Sequence, residues 1–152
     1  MEDRKQLAKI PLPKKSSYGG IMKVKFTIPG PVQAKQRPRI NRQTGKVYTP
    51  NATHKYEKLV KESYGDNPCF KDQFISVKIT FKMAIPKSYS KKKREQALNR
   101  EIFPTRADID NYIKSILDGL NGVCWEDDRY IYSITAEKIF AEESEVIVEI
   151  KN

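Results

Sequence analysis

The sequence predicts an α+β fold, a two-layer sandwich in which helices pack on one face of a roughly four-stranded mixed sheet. Three observations predict it. Residues 75–85 alternate strictly between apolar and polar side chains, the period of a half-buried strand. Residues 109–120 carry apolar side chains at i, i+3, i+4, i+7, i+8 and i+11, one stripe of an amphipathic helix. The elements follow the order β, α, β, α, α, β, β, which suits one sheet with helices between its strands.

Residues 1–20 show no periodicity and contain Pro11, Pro13, Gly19 and Gly20, so they read as a flexible basic arm before a domain spanning 21–152. Val24, Phe26 and Ile28 alternate with Lys23, Lys25 and Thr27, a strand closed by Pro29-Gly30-Pro31. A basic loop follows, with a hairpin-like turn at Thr44-Gly45. Thr49-Pro50 supplies an expected N-cap and first helical residue. Ala52, Tyr56, Leu59, Val60 and Ser63 are expected to share the buried face of that helix, which Gly65 ends. Ile75 to Ile85 is the clearest strand, stopped by Pro86. Ser90 caps a short helix running to about Arg100. Ile109, Tyr112, Ile113, Ile116, Leu117 and Leu120 form the stripe of the third helix. Tyr130–Phe140 and Glu145–Ile150 are two more strands, and the short link 141–144 predicts an antiparallel hairpin.

Composition narrows the chemistry. The chain has 152 residues and a net charge of +10. Residues 1–100 hold 24 basic and 7 acidic side chains, whereas residues 101–152 hold 5 and 12. A strong positive surplus points to a polyanionic partner, of which nucleic acid is the commonest. No apolar run approaches the length of a membrane span, and the polar N-terminus resembles no signal peptide, so no membrane association is expected. Two cysteines without metal-ligand spacing fit a reduced, cytoplasmic protein. A single histidine disfavours His-based triads and zinc sites, which leaves carboxylates, Lys and Tyr for any catalysis.

The carboxylates cluster. Asp108, Asp110, Asn111 and Lys114 crowd the start of the third helix, and Trp125-Glu126-Asp127-Asp128 follows its end. Taken singly, each has an ordinary explanation: Asp108 as an N-cap, Asp110 and Lys114 as an i,i+4 ion pair, the acidic run as a solvated turn. Taken together, they form an oxygen-only donor set, which selects hard cations such as Mg²⁺ or Mn²⁺. Such metals activate water for in-line attack on a phosphate, and a lysine beside them can neutralise developing charge.

Around this centre lie two basic segments. Lys35, Arg37, Arg39, Arg42 and Lys46 occupy a stretch with no acidic residue and read as phosphate clamps. Lys91, Lys92, Lys93 and Arg94 open a helix, where the macrodipole disfavours cations, so contact with a polyanion is one explanation and a solvated face another. Trp125 and Cys124 are expected to pack the base of the acidic loop, and His54 to lie on the surface of its helix.

The blocks Asp108-Ile-Asp-Asn-Tyr-Ile-Lys114, Leu117-Asp-Gly-Leu120 and Trp125-Glu-Asp-Asp128 resemble the RusA family of Holliday-junction resolvases. The similarity extends from about Val24 to Ile150 and includes Phe26-Thr-Ile-Pro-Gly-Pro31, Lys35-Gln-Arg-Pro-Arg39 and Lys91-Lys-Lys-Arg94. The resemblance implies a homodimeric, Mg²⁺-dependent endonuclease that cuts four-way DNA junctions symmetrically in recombination and repair, with no organic cofactor. It implies that Asp108, Asp110 and Asp128 bind metal, with Asp127 as the competing third ligand, and that Lys114 is the essential lysine. Asp118 fits the family pattern near the helix end, without a ligand role. Two rival readings remain at this level: a non-catalytic DNA-binding module, and a nuclease acting on flaps, forks or RNA.

Overall fold

Alternating β-branched and aromatic side chains build the sheet, and the computed structural model describes it over residues 21–152. The predicted arm at 1–20 lies outside the described residues. Strand β1 (Lys23–Pro29) buries Val24, Phe26 and Ile28 and exposes the residues between them. A small ribbon follows, β2 (Arg39–Ile40) paired antiparallel with β3 (Val47–Tyr48). Helix α1 (Asn51–Tyr64) leads to β4 (Ile75–Ala84), then to α2 (Lys91–Leu98) and α3 (Ile109–Leu120). A 3-10 turn at Asp128–Tyr130 opens β5 (Ile131–Ala141), and β6 (Glu145–Lys151) ends the sheet.

The sheet order is β1-β6-β4-β5, with β4 and β5 parallel and the other pairs antiparallel. The predicted α+β arrangement with a four-stranded mixed sheet is therefore the one found. The expected β5–β6 hairpin is not. The link 142–144 instead carries the chain over the end of β4, so β5 and β6 flank that strand on opposite sides. Ser144 Oγ accepts the backbone N–H of Ala84 at 2.9 Å, and Ile85 N–H donates to Ala141 C=O at 3.1 Å, which fastens the crossing to the strand it straddles. Burial explains the choice. Strand β6 fully buries Val146, Val148 and Ile150 and leaves no residue from Glu145 to Ile150 exposed, which suits a central strand, whereas β5 buries only Ile139 and suits an edge. Each fully buried Val or Ile contributes about 1.5–3 kcal/mol.

One face of the sheet is dry. Helices α1 and α3 cover it, with Tyr64 edge-on to Phe26 at 5.3 Å and Tyr112 beside Phe81 at 5.4 Å. The third-helix stripe is largely as expected, with Tyr112, Ile116 and Leu120 buried. The α1 face is rotated from its expected position: Thr53, Tyr56, Val60 and Tyr64 are buried, and Ala52 is exposed. Tyr64 and Thr53 extend the i, i+3/i+4 series of Tyr56 and Val60, and α3 packs against that series. Thr49 is not the cap either. Pro50 has an extended ψ of 143°, so the helix begins one residue later, with Pro50 C=O accepting from Thr53 and His54. The opposite sheet face is wet, and Glu149 lies 3.6–3.9 Å from Lys23, Lys25 and Lys78. Among the described residues no helix is long and apolar enough to cross a membrane.

Candidate functional site at one end of the sheet

The third helix runs antiparallel to β4 across the dry face: Tyr112, near its start, meets Phe81 late in β4. Its first turn therefore lies at the end of the sheet where β4 and β5 finish. Asp108 sits at the N-cap position with extended backbone but makes no side-chain cap hydrogen bond. Among the described residues Asp110 Oδ1 accepts only the neighbouring Asn111 N–H, at 3.0 Å. Lys114 follows Asp110 by one turn, is exposed, and has no salt bridge among the described residues. Neither ordinary explanation, the cap or the i,i+4 ion pair, is realised. Both carboxylates and the ammonium are presented to solvent at the same end of one helix.

The turn before Asp108 is strained and supported. Ala107 has φ of +61°, a left-handed conformation that costs an L-residue about 1–2 kcal/mol. Two contacts hold it: Lys138 Nζ donates to Ala107 C=O at 3.0 Å, and Tyr112 Oη donates to Arg106 C=O at 2.9 Å. Strain of this kind persists where surrounding structure enforces it, and it sets the direction in which Asp108 leaves the chain. Sequence reasoning missed Ala107 and Lys138, because nothing in their local pattern marks them. It also passed over Arg106, an exposed cation two residues before Asp108.

The same end collects the basic segments. Strand β1 lies parallel to β4 through β6, so the chain leaving Pro29 starts there. Lys35 N–H donates to Asn111 C=O at 3.4 Å, and Gln36 N–H to the buried Thr53 Oγ1 at 3.3 Å. These bonds tie the segment to the first turns of both α3 and α1. Arg37, Arg39, Arg42 and Lys46 are exposed beyond that tie. Lys35 differs from them. Its ammonium hydrogen-bonds Asp118 and lies 3.6 Å from Glu57, and the Asp118 contact, against partial desolvation, holds its pKa above the ordinary lysine value. It acts here as an internal fastening across α1 and α3, not as a free cation. Helix α2 begins soon after β4 ends, with Ser90 Oγ capping Lys93 N–H as expected. Within its basic cluster, Arg94 pairs with Glu142, and Lys93 lies 4.0 Å over the Tyr89 ring. Lys91 and Lys92 are exposed and make no salt bridge among the described residues.

Asp127 and Asp128 lie elsewhere. Helix α3 has 12 residues and is about 18 Å long. They follow its far end, immediately before β5 starts, whereas Ala107 faces Lys138 near the finish of β5. Trp125 anchors that loop. It is fully buried, and its Nε1 donates to Asn121 Oδ1 at 2.8 Å, as the packing reading expected. Burial pushes the Cys124 thiol up to about 12, so it packs as an inert group. Asp127 caps the 3-10 turn, accepting Arg129 N–H at 2.9 Å, and this bond holds its carboxyl below the usual aspartate range. Asp128 follows, exposed, and makes no salt bridge among the described residues.

Asp108, Asp110 and Asp128 offer the hard oxygen donors that Mg²⁺ or Mn²⁺ prefers, so their chemistry fits such an ion. Among the described residues, no three His, Cys, Asp or Glu side chains of this chain converge as a ligand set. A depression on the wet sheet face, between Lys23, Lys78, Glu149 and Lys151, contains none of the expected catalytic residues. Comparison with known proteins adds the following. The sequence profile of the family described as "Endodeoxyribonuclease RusA" matches residues 29–151. The protein named "Uncharacterized protein YqaN" of Bacillus subtilis (strain 168) is 33% identical over 136 residues, covering 84% of this chain and 95% of the relative.

Proposed function

Because the chain belongs to the RusA family of endodeoxyribonucleases, enzymes that hydrolyse DNA, we propose that it resolves four-way DNA junctions as a homodimer by paired, symmetric, Mg²⁺-dependent incisions. The observation that carries this reading is the gathering of Asp108, Asp110, Lys114 and the basic segments at one end of the sheet. In it, Asp108 and Asp110 would hold the cation with their exposed carboxylates, and the ion would supply a more acidic water and neutralisation of phosphate charge. Lys114, one turn along, reaches the scissile phosphate and stabilises its developing charge. Arg37, Arg39, Arg42 and Lys46 hold the flanking backbone, with Lys91 and Lys92 as outer contacts.

Dimerisation would complete what the described residues of one chain do not bring together. The separation of Asp128 from Asp108 and Asp110 along α3 favours a two-fold pair in which Asp128 of a second copy completes each carboxylate set. Two such sites related by a two-fold axis match the symmetry of a four-way junction. Free thiols at Cys69 and Cys124 fit a cytoplasmic location. The test incubates purified protein with a labelled immobile junction, a fork and a linear duplex, each with Mg²⁺ or with EDTA. Paired nicks at symmetric positions of the junction, present only with Mg²⁺, are expected. Equal cutting of the linear duplex, or no cutting of any substrate, overturns the proposal.

A further inference from the structure

The β2–β3 ribbon presents an apolar pair to solvent. Ile40 and Val47 are cross-strand partners, so their side chains share one face of the ribbon, and they are 66% and 67% exposed. Packing against each other across the ribbon stabilises such a pair less than burying the same side chains in the core would. The tip is nevertheless well defined. Asn41 Oδ1 accepts Gln43 N–H at 2.9 Å, Gly45 N–H donates to Asn41 C=O at 2.7 Å, and Asn41 N–H donates to Lys46 C=O at 2.8 Å. Gly45 provides the φ of +68° that closes the turn.

Charge identifies the occupant. The stretch from Pro31 to Pro50 holds Lys35, Arg37, Arg39, Arg42 and Lys46 and no acidic residue. Two copies of such a ribbon repel each other, whereas a phosphate backbone is drawn to it. The chain enters the ribbon from Lys35, which is bonded to the residue after Asp110, so the apolar pair stands at the end of the sheet that carries the carboxylates. We propose that the ribbon is a DNA wedge, with Ile40 and Val47 entering an opened base step while Arg39, Arg42 and Lys46 hold the phosphates on either side. Apolar side chains flanked by cations enter DNA in this way, and a branch point, already unstacked, is the step that opens at least cost. This inference rests on the DNA-junction reading and adds how the branch is recognised.

The test uses an immobile junction and a linear duplex, each with 2-aminopurine, whose fluorescence rises on unstacking, at the branch or the corresponding position, in EDTA so that no cutting intervenes. The wild-type protein is expected to raise the fluorescence of the junction. Ile40→Thr/Val47→Thr keeps β-branched side chains and all charges. It is expected to bind linear duplex within about twofold of wild type, lose the fluorescence rise, and lose about tenfold in preference for the junction. The swap Ile40→Val/Val47→Ile retains the apolar pair and should restore both, and an unchanged circular dichroism spectrum shows that each variant is folded. A double-Thr variant that keeps the rise and the preference overturns the wedge while leaving DNA binding intact. A variant whose sedimentation shifts from dimer to monomer also overturns it, making the pair a subunit contact. A wild-type protein with no salt-sensitive affinity for any DNA overturns the junction reading itself.

Discussion

Asp127 and Asp128 are adjacent, chemically identical, and differently employed. Asp127 spends its carboxylate on Arg129 N–H and stabilises the turn, while Asp128 is the exposed candidate for a metal. Asp128→Asn is therefore expected to reduce junction cleavage more than about a hundredfold, the scale of removing a charge-stabilising group. Asp127→Asn, whose amide oxygen still accepts from Arg129, should cut within a few-fold of wild type; single-turnover rates at saturating enzyme distinguish the two. The Asp127 carboxyl is held below its ordinary range, so its contribution to the turn is complete above that range and disappears as pH falls through the lowered value. At the other end of α3, Asp110→Asn is expected to leave junction affinity within a few-fold while abolishing cutting. Wild-type cutting by that variant in Mg²⁺ would remove Asp110 from the metal site. The sequence identified these carboxylates by type and spacing. It could not tell a cap from a free ligand, because that depends on whether the side chain turns back onto the backbone, as Asp127 does and Asp108 does not, which composition does not encode.

At the scale of elements, the contact between α1 and α3 is the tightest test of packing. A Cβ added at Gly119 would lie 2.8 Å from Val60 Cβ and 2.9 Å from its Cγ1, with Val60 fully buried between helix and sheet. Gly119→Ala gains intrinsic helix propensity of about 1 kcal/mol, yet overpacking at such a contact costs about 1–3 kcal/mol. The net expectation is a lower denaturation midpoint, and Val60→Ala combined with Gly119→Ala should be less destabilised than the two single losses added together. A midpoint unchanged in Gly119→Ala would show that the helices can separate without loss. Element types were legible because strand and helix periods differ strongly in this chain, most clearly at 75–85 and 109–120. Pairing was less legible. A three-residue link suggests a hairpin, and only the ladders that β6 forms with both β1 and β4 show that it belongs at the centre. The Lys35 fastening was hidden for a related reason: its partner Asp118 is 83 residues away in the chain.

Across the whole molecule, charge is sorted by place as well as by sequence. Exposed cations at 37–46 share one end of the sheet with Asp108, Asp110 and Lys114, and the Glu149 cluster neutralises much of the wet face. The salt dependence of junction binding should report that sorting. Arg37→Gln with Arg39→Gln is expected to reduce the slope of log affinity against log salt by about 1.8, two phosphate contacts' worth. Lys35→Met should leave that slope unchanged while lowering thermal stability, since its charge is spent on Asp118 and Glu57; a slope change of one contact with unaltered stability would return Lys35 to the DNA surface. The sheet also has a temporal consequence. Among the described strands β1 pairs with β6 alone, Lys23 opposite Lys151, so a strand made early must wait for one made more than a hundred residues later before it has a neighbour. Until β6 emerges, Val24, Phe26 and Ile28 stay without their sheet, and such long-range closure is slow and exposed to aggregation. The arrangement means that the platform for the carboxylates cannot be assembled before β6 has emerged, so DNA cutting must wait for that strand.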